Sequence, residues 1–133
     1  MRNIKLINCH QSNVEKNLSI LTNALEKNYW VKLSSGKEYS TDSQIKSLPE
    51  GPGVIIRGGG SGYAYTQCLH SCSNLNKSAI ATGQWLELQG YNLRQCHIFN
   101  PLPINHVSGL LPWWRSKLWG TQYTSLNSQL MNK

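Results

Sequence analysis

Apolar residues recur along this chain at two kinds of spacing, which separate predicted helices from predicted strands. Spacings of four, three and four residues predict two amphipathic helices, one ending near Asn28 and one ending at Gly90. A third helical run is predicted over 110–119, where Pro112 is compatible with a helix only near the first turn. The periodic positions are Val14, Leu18, Leu21 and Leu25 in the first helix, and Leu75, Ala79, Thr82 and Leu86 in the second.

Short apolar runs between these helices predict strands. Val54–Ile56 is wholly apolar, which is typical of a strand buried on both faces of a parallel sheet. Residues 34–53 are predicted to be a loop with one helical turn near 43–48, and the tail 121–133 is polar and weakly patterned. This order of elements predicts an α/β fold with a partial, mostly parallel sheet and flanking helices. The other predicted strands are 4–7 (a strand or an ordered arm), 29–33 and 96–99.

The composition indicates one modest domain with a basic surface. Thirteen Lys and Arg against six Asp and Glu give a formal net charge of +7, which suits nucleotides, nucleic acid or acidic lipid as partners. Because charged residues make up only 14% of the 133-residue chain, a generally basic composition explains this charge at least as well as nucleic-acid binding does. No apolar run approaches the roughly 18 residues of a membrane span, and the N-terminus does not resemble a signal peptide. We therefore expect a cytoplasmic protein.

All four cysteines have a histidine within two residues, which raises the question of a metal site. A zinc site would need four such ligands to converge, and the spacing fits none of the common frameworks. Without a secretion signal the thiols are expected to be reduced, so we interpret them as small buried side chains and predict no metal site. The four residues are Cys9, Cys68, Cys72 and Cys96.

A glycine-rich loop, Gly58–Gly62, follows the apolar strand and precedes the second predicted helix. Main-chain N–H groups can hold a phosphate when glycines allow unusual backbone angles, and Ser61 and Arg57 would add a hydroxyl donor and a positive charge. The spacing matches neither a P-loop nor a dinucleotide fingerprint. From these residues alone, a phosphate-binding loop and a loop or hairpin without a ligand are equally compatible with the sequence.

His106 stands in a turn after the Pro-rich end of a predicted strand, three residues before Gly109. A histidine there could touch a substrate carboxylate or an acyl intermediate, although a histidine hydrogen-bonded within the fold is the commoner case. The sequence shows no paired carboxylates, nucleophile elbow or Ser/His/Asp set beside it.

Tryptophans dominate the third predicted helix. We predict that they belong to a core or an interface, because Leu110, Leu111, Trp114 and Leu118 fall on one helical face. The alternative is a base-stacking platform, with cations interleaved among the rings. The residues concerned are Trp113, Trp114 and Trp119, with Arg115 and Lys117 between them.

Four segments together resemble the acyl-adenylate-forming (AMP-binding) enzymes, specifically the o-succinylbenzoate–CoA ligases of the cyanobacterial type. The resemblance covers residues 50–133 well and the first 50 loosely, and its most specific part is the His-x-x-Gly followed by Pro-Trp-Trp-Arg-Ser. The segments are GVIIRGGGSG (53–62), QCLH (67–70), SAIATGQWLELQG (78–90) and NPLPINHVSGLLPWWRSKLWG (100–120).

The resemblance implies a piece of the large N-terminal domain of an enzyme that activates an acid with ATP and Mg²⁺ and transfers it to coenzyme A, for menaquinone or phylloquinone synthesis. It also implies that the glycine loop and the histidine face a common cleft. The phosphate-binding residues it implies are Gly58, Gly59, Gly60, Ser61 and Gly62, and the acyl-pocket residues are His106, next to the reacting carboxylate, and Gly109, which permits close helix packing.

Two departures from the family pattern shape the expected function. Tyr63 follows Gly62 where the family loop ends in Gly-x-Pro-Lys, and the family's later segments with its ribose-binding aspartate and catalytic lysine are missing. We expect a single incomplete domain over 1–133, with a variable lead-in over 1–50, a phosphate-loop and acyl-pocket segment over 51–120 and a truncated tail over 121–133.

We expect such a chain to be inactive, or to work on a small-molecule substrate only with a second chain that carries the missing segments. The alternatives are a non-catalytic nucleotide- or anion-binding module and, less favoured, a small basic nucleic-acid-binding protein.

Overall fold

The chain forms two units, Met1–Cys72 and Ser73–Lys133, and each unit contains a small β-sheet. The first sheet has the strand order β1-β2-β3-β4, and the second pairs β5 with β6. All of these pairs are parallel except β3 with β4, so the predicted α/β class with a mostly parallel sheet is confirmed. This is a computed structural model, and it describes residues 4–9, 14–34, 47–57 and 67–126.

The first unit is built on four strands and one helix. The two inner strands, β2 and β3, are buried almost throughout, as the apolar runs in the sequence predict. β4 is an edge strand and runs antiparallel to β3, with Ile56 opposite Cys68. The elements are β1 (Ile4–Asn8), α1 (Val14–Glu26), β2 (Trp30–Ser34), β3 (Gly53–Arg57) and β4 (Gln67–Ser71).

A tryptophan that packs against a glycine determines the register of the two inner strands. Trp30 is fully buried and lies opposite Gly53. A Cβ at position 53 would stand 2.7 Å from Cζ2 of Trp30, so only glycine leaves room for the ring. The indole N–H donates to the carbonyl of Pro49 at 3.3 Å, which satisfies the one polar atom that this side chain brings into the core.

Helix α1 follows the predicted apolar face. Leu21 and Leu25 are buried, and the helix ends at Glu26, close to the predicted end at Asn28. Asn28 has φ +69°, the left-handed conformation that commonly follows a helix C-terminus. Most of the predicted turn at 43–48 lies outside the described residues.

The second unit contains two long helices and the parallel pair of strands. The helices are joined by hydrogen bonds from two partly buried indole N–H groups: Trp119 donates to the carbonyl of Ala79 at 2.9 Å, and Trp114 donates to Oδ1 of Asn76 at 2.8 Å. Gly83 makes room for this contact, because a Cβ there would stand 2.7 Å from Nε1 of Trp119. The elements are α2 (Cys72–Leu88), a 3-10 turn (Leu93–Gln95), β5 (His97–Asn100), α3 (Val107–Trp119) and β6 (Gln122–Ser125).

Two strands were not predicted. β4 lies between the glycine loop and the second helix, where the sequence predicts no strand. β6 lies in the tail, whose polar pattern predicted no element, and it forms because β5 offers a parallel partner from His97 to Asn100. Edge strands with polar faces carry little periodic signal, because their stability depends on a partner distant in sequence.

Helix α3 differs from the prediction at both ends of its apolar face. It begins at Val107 rather than at 110, so Pro112 lies in the second turn and the carbonyl of Ser108 receives no i→i−4 hydrogen bond. Leu118, predicted to be core, is 42% exposed, whereas Leu110 is fully buried. In the described part of the chain no helix is long and apolar enough to cross a membrane.

Candidate functional site

The predicted phosphate loop, Gly58–Gly62, lies outside the described residues, but the strands that flank it are described. β3 ends at the exposed Arg57, and the next described strand is its antiparallel partner β4. The loop therefore joins two antiparallel strands, and not a strand to a helix as the sequence analysis expected. Arg57, the last residue of β3, lies opposite Gln67, the first residue of β4.

The loop departs from the carboxyl edge of the first sheet. β1, β2 and β3 are parallel, so their carboxyl ends meet at one edge, with Asn8 opposite Ser34 and Arg57 next along β3. Main-chain and side-chain hydrogen bonds close this edge: the Cys9 N–H donates to the carbonyl of Ser34 at 2.7 Å, and Nδ2 of Asn17 donates to the carbonyl of Asn8 at 3.4 Å. In open α/β sheets ligands bind outside the carboxyl ends of the strands, which makes this edge the candidate place for an anion in the first unit.

His106 marks the start of α3 in the second unit. Its backbone is extended (φ −120°, ψ +146°), and its carbonyl accepts the first N–H groups of the helix, from Gly109 and Leu110, both at 2.9 Å. Its own N–H donates to the carbonyl of Pro103 at 3.3 Å. The imidazole makes no capping hydrogen bond and is exposed. Main-chain hydrogen bonds thus hold this residue through both its N–H and its carbonyl, while its side chain is exposed.

Gly109 allows the helix to approach the preceding turn closely. A Cβ at this position would overlap the carbonyl oxygen of Pro103 and stand 2.6 Å from its carbonyl carbon, and both atoms belong to the backbone. Neither can move as the end of a flexible side chain could. The helix therefore packs directly on the main chain of the His106 turn.

Asn100, at the end of β5, connects three parts of the second unit. Its side chain is 1% exposed, and its Nδ2 donates to the carbonyl of Gly109 at 2.8 Å and to the Tyr123 hydroxyl at 2.9 Å. Its Oδ1 accepts from the N–H of Leu102 at 3.1 Å. One amide group thus ties the first turn of α3, the strand β6 and the Pro-rich loop together. Sequence reasoning missed it, and the local signal available was an Asn directly before proline at a strand end.

Tyr123 completes this arrangement from β6. Burial raises the pKa of its hydroxyl, and the hydrogen bond from Asn100 opposes that shift. The phenol is therefore neutral at physiological pH and serves as an acceptor for the amide.

Two of the three tryptophans of α3, Trp113 and Trp114, are core residues as predicted, whereas Trp119 is half-buried. Trp113 and Trp114 are 6% and 7% exposed and meet edge to face, with ring centroids 6.0 Å apart. Nζ of Lys117 lies 4.7 Å from the Trp113 ring centroid and 5.4 Å from that of Trp114. A nucleobase has no open face of these rings on which to stack.

The cysteines and histidines do not gather in the part of the chain that the structure describes, where no group of three or more His, Cys, Asp or Glu could hold a metal ion. Cys68 and His70 are neighbours on one face of the edge strand β4. Burial lowers the pKa of His70, so its ring favours the neutral form.

No protein-family model matches the chain, and no curated protein matches it. Among the solved structures that share its fold are two of one enzyme. The o-succinylbenzoate CoA synthetase (MenE) from Bacillus subtilis in complex with the acyl-adenylate intermediate OSB-AMP aligns with 99% of this chain and 47% of its own, at 14% identity and a TM-score of 0.52. The same enzyme in complex with AMP aligns with 98% of this chain and 31% of its own, at 14% identity and a TM-score of 0.51.

This chain therefore spans less than half the length of the solved structures it resembles. At 14% identity the likeness shows the fold alone, which is the α/β fold found in part of an adenylate-forming enzyme.

Proposed function

We propose that this chain is a ligase-like fragment of the acyl-adenylate-forming type, which binds a nucleotide and needs a second chain for catalysis. The observation that carries the proposal is the alignment of nearly the whole chain, 99%, with a CoA synthetase whose solved structure holds an acyl-adenylate. The sequence resemblance points to the same family through different evidence, the Gly58–Gly62 and His106–Gly109 segments. Two further parts of the proposal are that the ligase is of the cyanobacterial type and that its acid is o-succinylbenzoate.

In this proposal the main-chain N–H groups of Gly58–Gly62 and the Ser61 hydroxyl hold the phosphates of ATP. The position of the loop after β3, at the carboxyl edge of the sheet, supports this role. Arg57 is exposed directly before the loop and adds positive charge beside it. Fixed N–H donors and a cation stabilise the charge that develops on a phosphate during adenylation.

His106 is proposed to meet the carboxylate of the acid. Its exposed ring at the start of α3 supports this role, since it is open to a ligand. The backbone contact at Gly109 and the hydrogen bonds of Asn100 hold the turn that carries it. Those two residues position the histidine, and they do not themselves touch substrate in this proposal.

No residue of this chain is proposed to bind the Mg²⁺ or the coenzyme A that the family uses. Mg²⁺ prefers carboxylate ligands, and in the described residues no group of three or more His, Cys, Asp or Glu could hold a metal ion. A second chain would supply them with the remaining catalytic segments. Menaquinone or phylloquinone synthesis is the pathway proposed for the intact enzyme.

Binding of a fluorescent ATP analogue to the purified chain, followed by anisotropy, tests the proposal. Displacement by unlabelled ATP and AMP is the expected result. Displacement by single-stranded DNA in a salt-sensitive manner, with no effect of ATP, would replace the ligase proposal with nucleic-acid binding. The chain alone, supplied with ATP, Mg²⁺, coenzyme A and o-succinylbenzoate, is expected to form no CoA ester; product formation by the chain alone would overturn the need for a second chain.

A further inference from the structure

The register of the first sheet brings four polar residues side by side at one edge, one from each strand. Asn8 lies beside Ser34, and the same register continued into β3 brings Ser34 beside Arg57. Arg57 in turn lies opposite Gln67. These four residues are the edge row. The row before it on the same face is apolar at three of its four positions, and it consists of Leu6, Lys32, Ile55 and Leu69.

The edge row is open to solvent at its β1 end. Side chains alternate between the two faces of a strand, so Asn8 shares a face with Leu6. Leu6 is 63% exposed, whereas Ile7, on the other face, is 4% exposed. Asn8 and Arg57 are themselves exposed, and Ser34 between them is buried. A ligand at this edge can therefore reach side chains of the first and the third strand.

The edge row offers hydrogen-bond donors and a positive charge without a carboxylate. Arg57 contributes a guanidinium, which pairs with phosphate through two parallel N–H groups, and Asn8 contributes an amide NH₂ group. None of the four strands contains an Asp or a Glu. Neighbouring strands lie about 4.8 Å apart, so the backbones of Asn8 and Arg57 are separated by about 10 Å. This separation fits an anion with several linked charged groups better than a single carboxylate.

We propose that the edge row holds the phosphate chain of the nucleotide together with the glycine loop, with Arg57 and Asn8 donating to phosphate oxygens. The loop at 58–62 follows Arg57 directly in the sequence, so both sets of donors serve one ligand at one edge of the sheet. This inference rests on the proposed function for the identity of the ligand, and on the register of the sheet for the two residues. It assigns a binding role to Asn8, which belongs to the first 50 residues, where the family resemblance is loosest.

Selection by the number of phosphates follows from this arrangement. Two donors that lie two strands apart are satisfied together only by a ligand with a chain of phosphates, so a nucleoside triphosphate should bind more tightly than the monophosphate. A nucleic acid presents single phosphates and is held by cations spread along its length. The edge row contains one arginine, which makes nucleic acid a poorer fit.

Competition against a fluorescent ATP analogue tests the proposal on the full chain, with ATP, AMP and inorganic tripolyphosphate as the competitors. ATP should displace the analogue at a concentration about tenfold lower than AMP, and tripolyphosphate alone should displace it. Equal potency of ATP and AMP, or no displacement by tripolyphosphate, would overturn the proposal.

A matched pair of substitutions connects this selectivity to the guanidinium. Arg57→Gln should weaken ATP binding about tenfold and AMP binding much less. Lys5→Gln removes an exposed cation from the opposite face of the same sheet, and it should change neither affinity by more than about twofold. Arg57→Lys should retain part of the ATP affinity, because it keeps the charge but not the pair of parallel donors.

A second pair tests the residue on β1. Asn8→Asp places a carboxylate in the edge row and should weaken ATP binding about tenfold. Asn23→Asp makes the same change of charge on the exposed side of α1 and should have little effect. If Arg57→Gln and Asn8→Asp both bound ATP as their controls do, the inference would be wrong and the proposed function would stand.

Titration calorimetry with tripolyphosphate distinguishes the failure of this inference from the failure of the proposed function. If the wild type bound tripolyphosphate in a manner that depends on Arg57 and Asn8, but bound neither ATP nor AMP, the ligase proposal would be contradicted and the edge row would remain a polyphosphate site. If the wild type bound none of the three, both proposals would be wrong.

Discussion

Replacing Asn100 by alanine should remove more stability than any other single polar substitution in the second unit. The side chain is 1% exposed and makes three hydrogen bonds, to Gly109, Tyr123 and Leu102. At about 1 kcal/mol for each bond, Asn100→Ala should lower the free energy of unfolding by about 3 kcal/mol. Such a loss corresponds to a fall of about 10 °C in the melting temperature of a chain of this size.

Urea unfolding followed by tryptophan fluorescence measures this loss, because Trp113 and Trp114 are buried in the same unit. Asn23→Ala on the exposed side of α1 is the control, and its stability should be unchanged or slightly raised because alanine favours a helix. A loss of less than about 1 kcal/mol for Asn100→Ala would refute the reasoning, since that is the net value of a single hydrogen bond.

Asn100→Asp separates the role of the amide donors from that of the side-chain volume. Aspartate keeps an oxygen for the N–H of Leu102 but presents a carboxylate to the carbonyl of Gly109 in place of a donor. The variant should be at least as unstable as Asn100→Ala at neutral pH. Burial would raise the pKa of this carboxyl, so the deficit relative to the wild type should shrink as the pH falls through that pKa. A deficit that does not depend on pH would contradict the assignment of the donors.

Three further predictions follow from single contacts. Gly109→Ala should lower the free energy of unfolding by more than about 1 kcal/mol, although alanine normally favours a helix interior, because the new Cβ would overlap the Pro103 carbonyl; calorimetry that showed stabilisation would contradict the contact. Burial lowers the pKa of His70, so the unfolded chain binds more protons than the folded chain and the stability should fall as the pH drops below about 6.5. His70→Gln should flatten that part of the stability profile, and an unchanged profile would exclude His70 as its source. Arg115→Met should unfold at the same or a higher urea concentration than the wild type, because it removes a buried N–H that has no acceptor; a clear loss of stability would mean that the guanidinium is satisfied in the folded chain.

Local patterns predicted the elements whose stability comes from burial of a periodic face. α1 and α2 followed from apolar spacings, and β3 followed from a run that is apolar on both faces. In each case burial repeats the sequence pattern directly, as Leu75 and Ala79 on α2 illustrate. The resemblance of the later segments to adenylate-forming enzymes also gave the fold class, which the solved structures support.

Contacts between distant residues account for most of what the sequence did not predict. β4 and β6 are short and polar, and each exists because a partner strand aligns with it. Asn100 is a central residue of the second unit only because the fold brings residues 102, 109 and 123 within hydrogen-bonding distance of its side chain. Leu118 fits the helical period of the buried face, but α3 turns that position outward near its C-terminal end.

The residues of the candidate site also differ in how far the sequence predicts them. The glycine at 109 was expected to permit close packing, and its Cβ position against the Pro103 backbone accounts for that role in physical terms. The acyl-pocket role of His106 stays a prediction, and the amide of Asn100 that holds its turn was not predicted. The nucleotide role of Gly58–Gly62 stays a prediction, since the loop lies outside the described residues.

Titration calorimetry of ATP against the purified chain tests the central claim most directly, and it should be made on the wild type, Ser61→Asp and Ser73→Asp. The account predicts saturable binding by the wild type, loss of that binding when a carboxylate is placed in the glycine loop, and no change from the same substitution on the exposed start of α2. Absence of ATP binding by the wild type, or equal binding by all three proteins, would contradict the claim that this loop holds a nucleotide.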